Sequence, residues 1–270
     1  CRPAVQRTRT ESLPKGRLLH LSNNDGAVNV IANDGDTVEL SADIRAYPDS
    51  SVDMDKLTTY LDSLVSVDRI GDIITIVAEP EDRPEGLDLR MDFSLSLPKG
   101  MDISIRSMKG NVIIGPGCNR VAVKGNRADI DITDPTGSLI AKTVTGRIVV
   151  RNVAVSATLE TVYGSIYADV KKGDLTASTT TGTIYATLLT PNFSNCQLTA
   201  MNGNIKLLLP DFCSAQLEAT TGRGEVTSSL PQTLALETGK HSYRAKLGAG
   251  RAKLFLDSLN GDITIARSTS

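Results

Sequence analysis

The stretch NRADIDITD sets Asp129 and Asp131 two residues apart, on one face of any extended strand, with Arg127 and Asp134 close by. Paired carboxylates can hold a divalent cation, or divide the acid and base roles of glycoside cleavage. The competing reading is the solvated face of a strand whose inward residues are Ile130 and Ile132, and no neighbouring segment offers matching carboxylates. The two histidines, His20 and His241, stand in no triad or metal-ligand spacing. The glycines fall between two extended runs instead of between a strand and a helix, so no phosphate-binding loop is expected. Formal charge is −2 with dispersed basic residues, which argues against nucleic acid as a partner. The chain reads as non-enzymatic, with no cofactor and no metal.

The elements that would carry such groups are repeats. A small or polar residue, a glycine and an alternating apolar pair recur at Gly110, Gly146, Gly164, Gly182, Gly203, Gly222 and Gly261, with spacings of 18, 18, 21 and 19 from Gly146 to Gly222. Apolar residues stand two and four places after the glycine (Ile148 and Val150, Ile184 and Ala186) and five and seven places before it (Leu139 and Ala141, Leu175 and Ala177). Only Gly224, beside Val226, breaks the row. Period-two alternation marks half-buried strands, and the glycine turn resets the inward phase between an odd run and an even one. No unit is large enough to fold alone, so the units must stack. The pattern predicts an all-β chain: a single-stranded-repeat β-solenoid, β-helix-like, with about 18–21 residues per coil. The absence of Trp and the 4% aromatic content suit a narrow interior of Ile, Leu, Val and Ala.

Three regions follow: a polar N-terminal tether over 1–17, irregular strands with a short helix near 52–64 over 18–97, and the repeat β-solenoid over 98–270. The stack is expected to begin at the unit around Gly26. The helix would place Met54, Leu57, Leu61 and Leu64 on one face and cap the stack, with the polar ARSTS tail ending the other side. PNFSNCQLTAMNG and PDFCSAQLEATTG align without a gap, which predicts adjacent coils. Cys196 and Cys213 would then lie about 8 Å apart, from about 4.8 Å per coil and roughly 3.3 Å per residue, beyond the roughly 7 Å that a disulfide spans.

The third place after each glycine faces outward. It holds Ile113, Val149, Tyr167, Tyr185 and Lys206, so Val149, Tyr167 and Tyr185 should form an exposed ladder across three coils, with Arg147 and Lys206 at its edges. Such a strip suits a sugar chain or an envelope protein; equally, stacking along a sheet is itself stabilising. A monomer, or a weak dimer through this strip, is expected.

The glycine-centred units, the GDIITIVAE strand and the LSLPKGMDISIRSMKGNVII segment resemble the DUF4097 family, often labelled adhesin-like, over roughly residues 18 to 266. The resemblance implies a β-solenoid and a bacterial cell-envelope setting, and it carries no functional residues. Cys1 at the start is what cleavage of a lipoprotein signal would leave, an incidental boundary being the alternative. Lipid on Cys1 would hold the chain to a membrane without a spanning helix, on the periplasmic face or the surface of the outer membrane; Arg2, not being Asp, fits outer-membrane sorting. The leading expectation is a lipid-anchored adhesin-like interaction or scaffold module. A carbohydrate-active β-helix using Asp129, Asp131 and Asp134, or an envelope-stress sensor, are the alternatives.

Overall fold

A computed structural model describes residues 5–78, 83–231 and 234–268. The described residues form twenty-five strands and one α-helix. Ten pairs of strands wind into coils, each with one strand in either of two long sheets that face each other across a common core. In the central run the coils follow chain order. They are β8 (Asp102–Lys109) with β9 (Val112–Ile114), β10 (Val121–Arg127) with β11 (Ile130–Thr133), and β12 (Leu139–Thr145) with β13 (Ile148–Val153). Next come β14 (Ala157–Tyr163) with β15 (Ile166–Val170), β16 (Gly173–Thr181) with β17 (Ile184–Leu188), and β18 (Phe193–Asn202) with β19 (Ile205–Leu209). Successive coils pair in parallel at the 18-residue step, as Leu139 with Ala157 and Ile148 with Ile166. Leu139, Ala141, Ile148 and Val150 are buried, as their phase requires.

A column of small residues sets the bend between the two strands of each coil. Gly146, Gly164, Gly182 and Gly203 lie one above another, and a Cβ on Gly182 would run into Gly164 O, one on Gly164 into Gly146 O. Three places earlier a buried hydroxyl ties the coils together: Thr143 Oγ1 donates to Ala128 O (3.1 Å), Thr161 Oγ1 to Gly146 O (3.1 Å) and Thr179 Oγ1 to Gly164 O (3.0 Å). One coil inverts this pair, with Gly125 in the threonine place and Ala128 in the glycine place; a Cβ on Gly125 would come 2.8 Å from Ala128 Cβ. The bend therefore has room for one of the two side chains. Directly after the column, a polar side chain accepts the N–H of the next coil: Asp129 from Arg147 (2.7 Å), Asn204 from Asp262 (2.8 Å) and Asp262 from Glu225 (2.9 Å).

Coil order departs from chain order at both ends. β2 (Leu18–Asp25) and β3 (Val28–Asn33) pair with β8 and β9, but the stack does not begin there. β6 (Ile73–Ala78) and β7 (Leu87–Pro98) form a further coil outside them. At the other end β24 (Ala252–Asn260) and β25 (Ile263–Arg267) slot between β18–β19 and the coil of β20 (Ala215–Thr221) and β21 (Val226–Ser228). The segments at 191–203 and 210–222 are thus not adjacent. Leu254 faces both Cys196 and Leu217, which also moves the ungapped alignment by two residues. Gly224, whose Cβ would meet Gly261 O, is the bend glycine of its coil, and Gly222 is not. Cys118, Cys196 and Cys213 are free, but a whole coil separates the last two, so the adjacent-coil distance does not apply.

The ends are closed by antiparallel strands. β23 (Ser242–Leu247) pairs with β20 and with β22 (Ala235–Thr238), so a hairpin, and not the ARSTS tail, closes the C-terminal end. At the N-terminal end β4 (Thr37–Pro48) pairs with β7, while β5 (Ser66–Ile70) pairs with β6. The helix α1 (Met54–Ser63) joins these two edges, with Asp53 as its N-cap and Leu57 and Leu61 buried. Met54, expected on that face, is 49% exposed because the first turn lies outside the core.

The expected tether is also corrected. Residues 5–14 form β1 (Val5–Pro14), paired antiparallel with β4 from Val5 opposite Ala46 to Pro14 opposite Thr37. Its half-buried side carries Arg7, Arg9 and Glu11 between Val5 and Leu13, so hydrophobic alternation is absent. The charges are satisfied locally: Arg9 pairs with Glu11 and donates to Val65 O, and Arg7 lies 3.7 Å from Asp62 on α1. Inward-facing charge on an edge strand discourages further strand addition.

Candidate functional site

Parallel, in-register pairing stands the outward side chains of β13, β15, β17 and β19 directly above one another. Val149 faces Tyr167, Tyr167 faces Tyr185, and Tyr185 faces Lys206. The Tyr167 and Tyr185 rings stack with centroids 4.8 Å apart and planes 6° from parallel, the strand spacing itself, and each residue is 39% exposed. Asp131 and Ile113 continue the row beyond Val149. Arg147 is exposed at the bend two residues before Val149, its N–H bonded to Asp129. The structure therefore brings together Val149, Tyr167, Tyr185 and Lys206 as one strip and leaves Arg147 on the bend beside it.

The acidic face is used up within the stack. Asp129 caps the next coil's N–H, and Asp131 is ion-paired with Arg151. Asp134 sits at φ 47° and accepts from Asn152 Nδ2 at 3.4 Å. Each carboxylate has a partner one coil on, and among the described residues no group of three or more His, Cys, Asp or Glu could hold a metal ion. His241 Nδ1 is bonded to Gly224 O at 2.7 Å, at the far end of the stack.

One feature of the opposite sheet is missing from the sequence reading. Where its strands approach the bend, an open groove of about 700 Å³ runs along the stack between two rows of side chains. One row is polar: Arg106, Lys124, Lys142, Glu160 and Ser178 are register partners on consecutive strands. The other row is mostly apolar, with Val144, Val162, Met201 and Leu259 all exposed and Thr180 among them. The floor is the buried threonines, whose hydroxyls are already donated to backbone carbonyls. The signal was present as the 18-residue step from 106 to 124 to 142.

Residues 80–266 match the family described as Toastrack DUF4097. The chain belongs to this family. Its fold is shared with solved structures of two adhesin candidates. The first, from Bacteroides fragilis NCTC 9343, is 15% identical over 99% of this chain and 100% of that one, with a TM-score of 0.56. The second, from Parabacteroides distasonis ATCC 8503, is 14% identical over 98% and 97%, with a TM-score of 0.55. No curated protein matches. At such identities the DUF4097 chain and these neighbours share an architecture. Among the described residues no helix is long and apolar enough to cross a membrane, and Cys1 lies outside them.

Proposed function

We propose that this DUF4097 chain is a non-enzymatic, adhesin-like interaction module of the bacterial cell envelope, held to the membrane by lipid on Cys1. The observation that carries the reading is the strip of Val149 with the stacked, exposed Tyr167 and Tyr185. Two parallel rings at one coil spacing cover each other's faces and leave their edges as a narrow amphipathic ridge, which suits the hydroxyls and C–H groups of a sugar chain or a protein surface. Lys206 in register, and Arg147 on the adjoining bend, supply hydrogen-bond donors at the margins. The occupied Asp129, Asp131 and Asp134 support a structural role for the acidic face over a catalytic one. The two adhesin candidates with this fold agree with the reading.

The test is the double variant Tyr167→Ser/Tyr185→Ser, probed on immobilised neutral glycans and on isolated peptidoglycan. Loss of binding with an unchanged far-UV circular dichroism spectrum is expected. Binding retained by the variant, or absent from the parent protein on every surface, overturns the strip as the contact site. Intact mass of the precursor expressed in a bacterial host tests the anchor: an acyl increment on Cys1 is expected, and its absence removes it.

A further inference from the structure

The basic residues that look dispersed along the chain are not dispersed in space. Arg106, Lys124 and Lys142 lie on β8, β10 and β12 as register partners, so three cations stand in a row about 4.8 Å apart. Arg127 follows Lys124 at the bend of the same coil and is exposed. Like charges opposite one another on adjacent strands oppose sheet formation. Lys142 is relieved by Glu160 at 2.7 Å, but among the described residues no ion pair forms with Arg106, Lys124 or Arg127. With a formal charge of −2 for the whole chain, this local excess is not an overall basic character showing through.

The ladder also leads into the groove. Lys124 and Lys142 line it at one end, while the same polar row runs on through Glu160, Ser178 and Thr199 to Asp257 at the other, so the acidic groups of a ligand belong at the Lys124 end. Val144, Val162, Met201 and Leu259 form its apolar rim. We propose that ladder and groove bind a linear acidic polysaccharide, its carboxylates on Arg106, Lys124 and Lys142 and the C–H faces of its sugar rings against the apolar rim. One cation per coil matches an extended polymer with a charge on successive rings. The floor favours this occupant over an extended acidic peptide, because Thr143, Thr161 and Thr179 are buried and have given their hydroxyl protons to carbonyls, so they offer no donor to a peptide carbonyl, whereas the C–H faces of sugar rings need none. It also differs from a single-stranded nucleic acid site, which interleaves basic residues with aromatic platforms; no aromatic residue lines this groove. The tyrosine strip lies on the other sheet, so the two surfaces are independent.

Polygalacturonate is the probe, with dextran as the uncharged control, in affinity electrophoresis at low and raised salt. Retardation by polygalacturonate alone, weakened by salt, is expected. Arg106→Gln/Lys124→Gln should lose about tenfold in affinity, the worth of two exposed charge contacts, and both residues are exposed enough for the variant to fold. Leu259→Ser should weaken binding with the salt dependence unchanged, while Tyr167→Ser/Tyr185→Ser should leave it intact. No retardation, retardation insensitive to the double charge variant, or equal binding of a single-stranded oligonucleotide or of anionic phospholipid vesicles would each overturn the proposal. Failure here leaves the tyrosine strip standing, since its variants and probes are separate.

Discussion

The one-side-chain rule at the bend can be tested by exchanging its two residues. Gly164→Ala places a methyl group against Gly146 O and near Thr161 Oγ1, 3.1 Å from the new Cβ. Overpacking of this kind costs about 1–3 kcal/mol. Thr161→Gly removes a hydrogen bond to Gly146 O worth about 1 kcal/mol and a buried methyl worth about 0.8 kcal/mol. It also adds about 0.5–1 kcal/mol for glycine within a strand, for a total near 2–3 kcal/mol. Were the two independent, the double variant would lose both amounts. The coil with Gly125 and Ala128 shows the other arrangement already built, the alanine methyl occupying the space the missing side chain leaves. Thr161→Gly/Gly164→Ala should therefore lose less than the sum of the two singles, because the contact with Thr161 Oγ1 is relieved while that with Gly146 O remains, a favourable coupling of about 0.5–1 kcal/mol, at the low end for residues in contact. Urea unfolding followed by circular dichroism reads this from midpoints at unchanged slope. A double variant that loses the full sum of the two singles refutes the shared space.

Other outcomes follow from the same geometry. Burial pushes the Cys196 thiol up to about 12 and the Cys118 thiol up to about 11. Both stay neutral in the fold while the unfolded chain ionises near about 8.5, so stability is intact below that pH and falls as pH rises towards 12; urea midpoints should decline across this window, less steeply in Cys196→Ala. Asp131→Asn should cost no more than about 1 kcal/mol, because its pair with Arg151 is exposed on both sides, and a larger loss in thermal unfolding would contradict the surface role. Deleting residues 252–268 empties an internal slot and bares the facing edges of β18–β19 and β20–β21; size-exclusion chromatography should show aggregation in place of a shortened monomer. Deleting residues 5–14 uncovers β4, and self-association is again expected.

The tyrosine strip was legible in the sequence and the basic ladder was not, although both rest on an 18-residue step. Tyr167 and Tyr185 share an obvious local phrase, TVYGSIY and TTTGTIY, so their equivalence shows by inspection. Arg106, Lys124 and Lys142 sit in phrases that share little else, and charge read along the chain averages to nothing. β1 was missed for a related reason: its inward positions hold Arg7, Arg9 and Glu11, whose partners on α1 and in the following segment no local pattern announces.

Within a coil the residues themselves determine the outcome. Alternating apolar side chains define two strands, and a glycine that cannot admit a Cβ against the carbonyl of its neighbour defines the bend between them. Which coil lies beside which is decided only by the assembled structure. Every coil presents the same row of N–H and C=O groups to either side, so the ladder of β18–β19 accepts β24–β25 as readily as the segment that follows it in the chain. The choice is settled at the ends, where antiparallel edges and a hairpin must close the stack, and those constraints are properties of the whole fold.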